Sequence, residues 1–215
     1  MAIQQSLTQA QILDRTHTAV VIIDMQNDFC ANGGAFDKMG ADVSAVQAIM
    51  PTLASFLKAA RKAGVMVVHV VTRHSELTNS PVWDWKAPPG VAQLGSWGAE
   101  MYHGCPELQP QPNEALIIKH RYSPFYDTDL DLVLRSSGIK TIVLAGVATN
   151  VCVETAARDG IMRDYYVFLM KDCTAAYDPA SHEAALRNVI QRFGMVISSQ
   201  EVLGLWSIEP RTAAS

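Results

Sequence analysis

The chain has 215 residues, 49% of them apolar and 18% charged, so it can bury a large core and is neither a disordered chain nor a coiled coil. Its formal charge of −4 gives no basic surface for nucleic acid, no apolar run is long enough to cross a bilayer, and the polar N-terminus has no secretory layout. The four cysteines are scattered, without the spacing of a disulfide framework or a zinc site. We therefore expect one cytoplasmic domain, residues 1–215, with reduced thiols and with neither a membrane nor a nucleic acid as partner.

The first predicted strand is the continuous apolar run at 19–23, which is followed by Asp24. Unbroken apolar runs are typical of strands covered on both faces in a parallel sheet. Such sheets hold their ligands at the carboxyl ends of the strands, so Asp24 is a candidate site residue, although a loop carboxylate could stand there for capping alone. Residues 25–36 are predicted to form a loop with a turn at Gly33-Gly34.

A helix and a second strand follow this loop. Apolar residues spaced by three and four predict a helix over 43–62, which Pro51 kinks or splits in two. The apolar run at 65–71 predicts a strand. Residues 72–113 then form an insert that is rich in proline and tryptophan. Long irregular segments serve as lids or binding loops, and exposed aromatic residues also serve subunit interfaces, so both roles stay open.

The second half of the chain continues to alternate strands and helices. A strand is predicted at 115–118 with Lys119 directly after it, then a helix that ends at Ser136 and a strand at 141–144. After the segment that carries Cys152, the predicted elements are a strand at 165–170 with Asp172 and Cys173 just past it, a helix at 180–193, a strand at 195–197 and a helical turn at 200–205. This alternation predicts an α/β fold with right-handed crossovers and a parallel sheet. The glycines form neither of the nucleotide-binding fingerprints, and no cofactor is expected.

Cys152 is the candidate nucleophile. It lies in the first turn of a predicted helix, for which Thr149 or Asn150 would be the N-cap. Free N–H groups and the positive end of the helix dipole favour a thiolate there, and the same N–H groups can hold an oxyanion. From this stretch alone, a small buried hydrophobic cysteine is an equally good interpretation.

Three strand ends predict one piece of chemistry. Asp24, Lys119 and Cys152 each follow a strand, and the carboxyl ends of parallel strands share one edge of the sheet. A carboxylate beside a thiol can accept its proton, and a cation beside the thiol stabilises the thiolate. We therefore expect the three side chains to meet at this edge.

Three segments carry a resemblance to a known family. They are VVIIDMQNDF (residues 20–29), KHRYSPFYDTDLDLVLRSSGI (residues 119–139) and LAGVATNVCVETAARDG (residues 144–160). With them the chain resembles the isochorismatase-like cysteine hydrolases, a superfamily that includes N-carbamoylsarcosine amidase, nicotinamidase, biuret hydrolase and ureidoacrylate amidohydrolase.

The resemblance implies a fold and a set of catalytic groups. The fold is a Rossmann-like three-layer sandwich, with a six-stranded, mostly parallel sheet and helices on both faces. The catalytic triad would be Asp24, Lys119 and Cys152. The Val147-Ala148 peptide bond would be cis, and the N–H groups of Ala148 and Cys152 would form the oxyanion hole.

The resemblance also implies an activity: metal-independent hydrolysis of a C–N bond in a small linear amide or ureide, through a thioester, with release of ammonia or an amine. The nicotinamidase metal pattern is missing from the stretch 72–75, and the cysteine favours amide chemistry over an isochorismatase-type vinyl-ether hydrolase. A catalytically inactive binding module on the same scaffold is the remaining alternative. Family members are homo-oligomers, so a dimer or tetramer is expected.

The resemblance extends to the pocket. Its substrate-binding residues would be Phe29, Thr72, His74 and Tyr122. An arginine fork, from Arg73 or Arg121, could bind a substrate carboxylate, although solvation at the surface would explain either residue equally well.

Overall fold

Six parallel strands form one sheet in the computed structural model, which describes residues 7–207. They are β1 (Thr18–Ile23), β2 (Met66–Thr72), β3 (Ala115–Lys119), β4 (Thr141–Val147), β5 (Tyr166–Ala175) and β6 (Met195–Ile197). The strand order is β3-β2-β1-β4-β5-β6, and every neighbouring pair is parallel. The predicted six-stranded α/β sheet is confirmed. Residues 1–6 and 208–215, which belong to the predicted domain 1–215, lie outside the described residues.

Ten α-helices connect and flank the strands in residues 7–207. They are α1 (Gln9–Ile12), α2 (Asn27–Cys30), α3 (Ala35–Lys38), α4 (Ser44–Ala48), α5 (Met50–Lys62), α6 (Pro81–Lys86), α7 (Leu130–Ser136), α8 (Glu154–Ile161), α9 (Pro179–Asn188) and α10 (Ser199–Ser207). None of these helices has the length and apolar character that a bilayer crossing requires.

The core lies in two layers, one on each face of the sheet. Successive residues of a strand point to opposite faces, so Val20 and Ile22 belong to one apolar cluster, whereas Val21 and Ile23 belong to the other. Helices α5 and α10 pack on the first face, and α7, α8 and α9 on the second. All six residues of β1 are buried, which explains why its sequence is an unbroken apolar run. The three-layer arrangement is the predicted one.

Several element boundaries differ from the predictions. The helix predicted over 43–62 is split into α4 and α5, as expected, with the break at Ile49 and Pro51 in the first turn of α5. The predicted loop at 25–36 instead contains α2 and the first two residues of α3. Strand β5 continues to Ala175, so Asp172 and Cys173 lie inside it rather than past its end, because β5 resumes pairing with the end of β4 after a register shift.

The insert at 72–113 is more ordered than predicted. It contains α6 and two 3₁₀ turns, Trp97–Ala99 and Pro106–Leu108. Predicted helix 180–193 is α9 followed by a π turn, Val189–Phe193.

Gly146 permits the close approach of β4 to β1 beside Asp24. Its φ is +105°, and a Cβ added there would lie 2.1 Å from the Ile23 carbonyl oxygen. We expect Gly146→Ala to lower the free energy of unfolding by about 3 kcal/mol or more, because it combines backbone strain with a clash in the core. Urea unfolding measures this.

Gly204→Ala in α10 is the matched control. A Cβ at Gly204 meets no atom within 4 Å. Alanine inside a helix is favoured over glycine by about 0.5–1 kcal/mol, so this variant should unfold at a slightly higher urea concentration. Equal urea midpoints for Gly146→Ala and the parent chain would contradict the proposed clash.

Candidate active site

Asp24 begins the site at the end of β1. Its φ is +55°, and its backbone N–H donates to the Val70 carbonyl at 2.9 Å while its carbonyl accepts from the Gln26 N–H at 2.8 Å. The first bond continues the pairing of β1 with β2, and the second closes a tight turn directly after the strand. The side chain is 1% exposed and points toward the ends of the neighbouring strands, where Thr72 Oγ1 donates to Asp24 Oδ1 at 2.8 Å.

Gln26 fixes the position of Thr72, the last residue of β2. The buried Gln26 amide accepts from the Thr72 N–H at 2.7 Å and donates to the Thr72 carbonyl at 2.8 Å, as a strand backbone would. It also donates to the Ala99 carbonyl in the insert at 2.8 Å. One side chain thus connects the loop after β1, the end of β2 and the insert.

Lys119 ends β3, which is separated from β1 by β2. Its Nζ lies 2.9 Å from Asp24 Oδ2 and donates to Thr72 Oγ1 at 2.6 Å and to Cys152 Sγ at 3.4 Å. The long lysine side chain spans the width of β2, and the Thr72 hydroxyl fills the position between the two charges. The lysine side chain is 1% exposed, so this ion pair is excluded from water.

Cys152 lies in a π turn, Thr149–Val153, that follows β4 and leads into α8. The predicted N-cap is wrong: the cap residue is Ala148, and the Thr149 hydroxyl instead contacts His182 Nδ1 at 2.9 Å. The Val147-Ala148 peptide bond is cis, as the resemblance implied. Asp24, Lys119 and Cys152 are therefore brought together from three strand ends.

The electrostatics of this cluster favour a neutral thiol. Burial raises the pKa of Cys152 far above its ordinary value, the Asp24 carboxylate raises it further, and the Lys119 ammonium only partly opposes them. Burial works against the charge on Lys119, but Asp24 and Cys152 outweigh it, so the pKa of Lys119 is raised. The helix terminus, which favours a thiolate, is thus opposed by burial of the sulfur and by the carboxylate beside it.

A cavity of about 200 Å³ opens over the cluster. It is lined by Asp24, Lys119 and Cys152, by Ala148, and by all four predicted substrate-binding residues, Phe29, Thr72, His74 and Tyr122. Drug-sized ligands occupy pockets of about 300–1,000 Å³, so this cavity suits a smaller molecule. Cys152 is only 8% exposed, so a molecule in this cavity would lie against it with little access for bulk water.

His74 is a neutral residue of this cavity wall. Burial, together with the nearby Lys119, lowers the pKa of His74 to about 4. Its ring centroid lies 5.3 Å from that of Trp83, which in turn lies 4.9 Å from the ring of Tyr122. His74 is therefore uncharged at neutral pH and packs in an aromatic wall.

Sequence reasoning missed several residues that line the cavity, among them Trp83 and Tyr177. Trp83 belongs to α6 in the insert, whose tryptophans pointed to a lid or an interface but not to one residue. Tyr177 follows the true end of β5 and donates from its hydroxyl to the Phe29 carbonyl at 3.0 Å. It was missed because the end of β5 was predicted five residues too early.

No cluster of three or more His, Cys, Asp or Glu residues suited to a metal ion occurs within residues 7–207. The stretch after β2 offers one imidazole, His74, which packs against Trp83. The neighbouring His120 ring contacts the Arg73 carbonyl through Nδ1 at 2.6 Å.

A parallel α/β sheet with an acid, an ammonium and a thiol buried together at its carboxyl edge has the groups that a cysteine hydrolase requires. Residues 18–201 match the isochorismatase domain, and the chain belongs to this family.

Named relatives and solved structures agree with this assignment. The ureidoacrylate amidohydrolase RutB of Agrobacterium fabrum is 35% identical over 210 residues, which cover 91% of this chain and 92% of the relative. A cysteine hydrolase from Pseudomonas syringae superposes with a TM-score of 0.81 at 30% identity, covering 90% of this chain and 94% of that one. An isochorismatase-like hydrolase from Alkaliphilus metalliredigens gives a TM-score of 0.77 at 32% identity, covering 88% and 98% of the two chains. The predicted family, and the prediction of a cysteine hydrolase for non-peptide C–N bonds, are confirmed by these similarities.

Proposed function

We propose that the chain hydrolyses a C–N bond of a small linear ureide and that Cys152 is the nucleophile. The thioester formed on Cys152 would be a thiocarbamate when the substrate is a ureide. The contact that supports this chemistry most directly is that of Lys119 Nζ, which lies 3.4 Å from Cys152 Sγ and 2.9 Å from Asp24 Oδ2. The relative named ureidoacrylate amidohydrolase supports a ureide over other amides.

The first half of the reaction forms the covalent intermediate. Asp24 accepts the Cys152 thiol proton as the sulfur attacks the substrate carbonyl, so the thiolate need not exist in the resting chain. Lys119 stays charged and balances the negative charge that moves from Asp24 to sulfur. The N–H groups of Ala148 and Cys152 hold the oxyanion, and the C–N bond breaks as the departing nitrogen takes the proton from Asp24.

The second half releases the product. A water molecule loses a proton to Asp24 and attacks the thiocarbamate carbon. The S–C bond then breaks, and the sulfur recovers its proton from Asp24. Each half thus uses the same carboxylate, first as base and then as acid, and Asp24 ends the cycle as it began.

A substrate panel tests this function. We expect the chain to release ammonia or an amine from linear ureides such as 3-ureidopropionate faster than from nicotinamide, an aromatic amide. Intact-protein mass spectrometry after rapid acid quench should detect a carbamoyl adduct, and peptide mapping should locate it at Cys152. Turnover of isochorismate with no ureide hydrolysis would favour the vinyl-ether alternative, and no turnover at all would favour the inactive binding module. Neither alternative is favoured, because the acid, the ammonium and the thiol are all present.

We further propose that the chain acts in the cytoplasm as a homo-oligomer. Its four cysteines are all free thiols, which suits a reducing compartment. Large apolar side chains of the insert, Leu77, Val82 and Trp85, are more than two-thirds exposed and could pack against a second subunit. Light scattering coupled to size-exclusion chromatography measures the oligomeric state, and a monomer at micromolar concentration would contradict the proposed homo-oligomer.

A further inference from the structure

The hydroxyl of Thr72 lies between two members of the catalytic triad. Its Oγ1 accepts a hydrogen bond from Lys119 Nζ at 2.6 Å and donates one to Asp24 Oδ1 at 2.8 Å. An ammonium can only donate and a hydroxyl has a single hydrogen, so the contact with Lys119 leaves that hydrogen for Asp24. Thr72 is only 5% exposed, and the direction of its hydroxyl is therefore set by the two charges rather than by bulk water.

The two oxygens of the Asp24 carboxylate have different surroundings. Oδ1 accepts the hydrogen of the Thr72 hydroxyl. Oδ2 is buried and lies 2.9 Å from Lys119 Nζ, but it accepts no hydrogen bond from any residue in the described part of the chain. The Cys152 sulfur lies 3.4 Å from the same lysine nitrogen. Oδ2 and the sulfur thus contact one ammonium, and Oδ2 is the oxygen whose lone pairs are free to take the thiol proton.

The backbone of Thr72 is held independently of its hydroxyl. The Gln26 amide accepts from the Thr72 N–H at 2.7 Å and donates to the Thr72 carbonyl at 2.8 Å. Thr72 is also paired with Lys119 in the parallel ladder between β2 and β3. A substitution that removes only the hydroxyl should therefore leave the end of β2 in place and change only the contacts between the charged groups.

We infer that Thr72 is a positioning residue, whose hydroxyl holds Asp24 Oδ1 so that Asp24 Oδ2 receives the proton of Cys152. The inference rests on the proposed function, in which Asp24 is the base for Cys152. The proton moves from Cys152 Sγ to Oδ2 as the S–C bond forms, and from Oδ2 to the departing nitrogen as the C–N bond breaks. Thr72 itself takes no part in these transfers. This role differs from the substrate contact that the resemblance implied for Thr72, since the single hydroxyl hydrogen is already donated to Asp24.

Three single variants test this role on a ureide that the parent chain cleaves. Thr72→Val keeps the branched shape without the hydroxyl. We expect it to lower kcat by about 10- to 100-fold, the effect of one hydrogen bond to a charged group, and to change KM by less than about threefold. Thr72→Ser restores the hydroxyl and should recover most of kcat. Thr18→Val is the matched control, because the Thr18 hydroxyl is also buried but donates to the Asp14 carbonyl at 2.7 Å, at the opposite end of β1 from Asp24.

A double variant shows whether Thr72 acts through Asp24. Asp24→Asn already removes the proton acceptor, so Thr72→Val added to it should lower kcat by less than about threefold further. A further loss as large as that in the parent background would mean that Thr72 acts independently of Asp24. A raised KM with an unchanged kcat in Thr72→Val would mean that Thr72 contacts the substrate. Either result overturns the inference and leaves ureide hydrolysis intact.

Acylation by p-nitrophenyl acetate separates this inference from the proposed function. The Cys152 sulfur forms a thioester as p-nitrophenolate leaves without a proton, so the burst of p-nitrophenolate reports the transfer of the thiol proton and the attack of the sulfur. We expect no burst from Cys152→Ala, a burst about 10-fold or more slower in Thr72→Val, and a rate near that of the parent chain in Thr72→Ser. If the parent chain cleaves no ureide, the proposed function fails and this burst still decides the role of Thr72. An equal burst rate in Thr72→Val and the parent chain, or no burst from the parent chain, overturns the inference.

Discussion

Cys152→Ala is expected to lower the turnover of a ureide by about 10⁴-fold or more, because removal of a nucleophile that acts together with its base abolishes the covalent route. Cys30 cannot replace it as the nucleophile. The Cys30 Sγ lies 4.0 Å from the backbone carbonyl oxygen of Asp24, and Cys30 does not line the cavity. The rate that remains in Cys152→Ala measures the acceleration that the cavity, Asp24 and Lys119 provide without a thioester intermediate. Single-turnover ammonia release at saturating substrate is the appropriate measurement.

Cys105→Ala is the matched control for this variant. Cys105 is also a buried free thiol, but it lies in the insert and contacts Glu107, away from the catalytic cavity. The same change of side chain there should leave turnover within about twofold of the parent rate. A Cys152→Ala protein that is folded, as judged by its circular dichroism, and that retains the parent rate would remove Cys152 from the mechanism.

The sequence predicts that Asp24, Lys119 and Cys152 meet at one edge of the sheet because the signals there are local. Apolar runs end at Asp24 and Lys119, and strand ends in a parallel sheet lie at one edge whatever the order of the strands. The strand order itself is not local. It places β2 between β1 and β3, and for this reason Thr72 lies between the two charges and only a side chain as long as that of Lys119 can reach Asp24.

The parts that could not be predicted depend on contacts between distant segments. The predicted loop after β1 is ordered because the buried Gln26 amide bonds to Thr72 and to Ala99, which are 46 and 73 residues away. The resting protonation of Cys152 depends on how deeply the sulfur is buried and on its closeness to Asp24, and neither can be read from a helix N-terminus. The opposing wall of the cavity comes from the insert, where no hydrophobic period indicates which tryptophan points inward.

Asp24→Asn is expected to lower the turnover although it makes the Cys152 thiol more acidic. Asparagine keeps the size of the side chain and an oxygen for the Thr72 hydroxyl, but it can neither accept the thiol proton nor return it to the leaving nitrogen. Turnover should therefore fall by about 10³-fold, within the range that one general acid–base group contributes. Asp129→Asn is the control, because Asp129 is exposed and its side chain makes no capping hydrogen bond.

The pKa of the Cys152 thiol should fall in the Asp24→Asn variant. After burial, the Asp24 carboxylate is the largest cause of the raised pKa of Cys152, and Lys119 acts in the opposite sense. Without the carboxylate, the pKa of Cys152 should fall, and the pH profile of its alkylation by iodoacetamide should move to lower pH. Lys119→Met should move that profile to higher pH, because it removes the only stabilising cation beside the sulfur within the described chain.

A more acidic thiol in a slower enzyme is the combination that identifies Asp24 as the group that moves the proton. Asp24→Asn also leaves the buried Lys119 ammonium without its partner, which costs roughly 3–5 kcal/mol whatever the role of Asp24. The variant should therefore unfold at a lower urea concentration than the parent chain, and the alkylation profile and the turnover, not the stability, distinguish the two roles. Loss of turnover with an unchanged or raised alkylation profile would therefore assign Asp24 a positioning role and would require another base for Cys152.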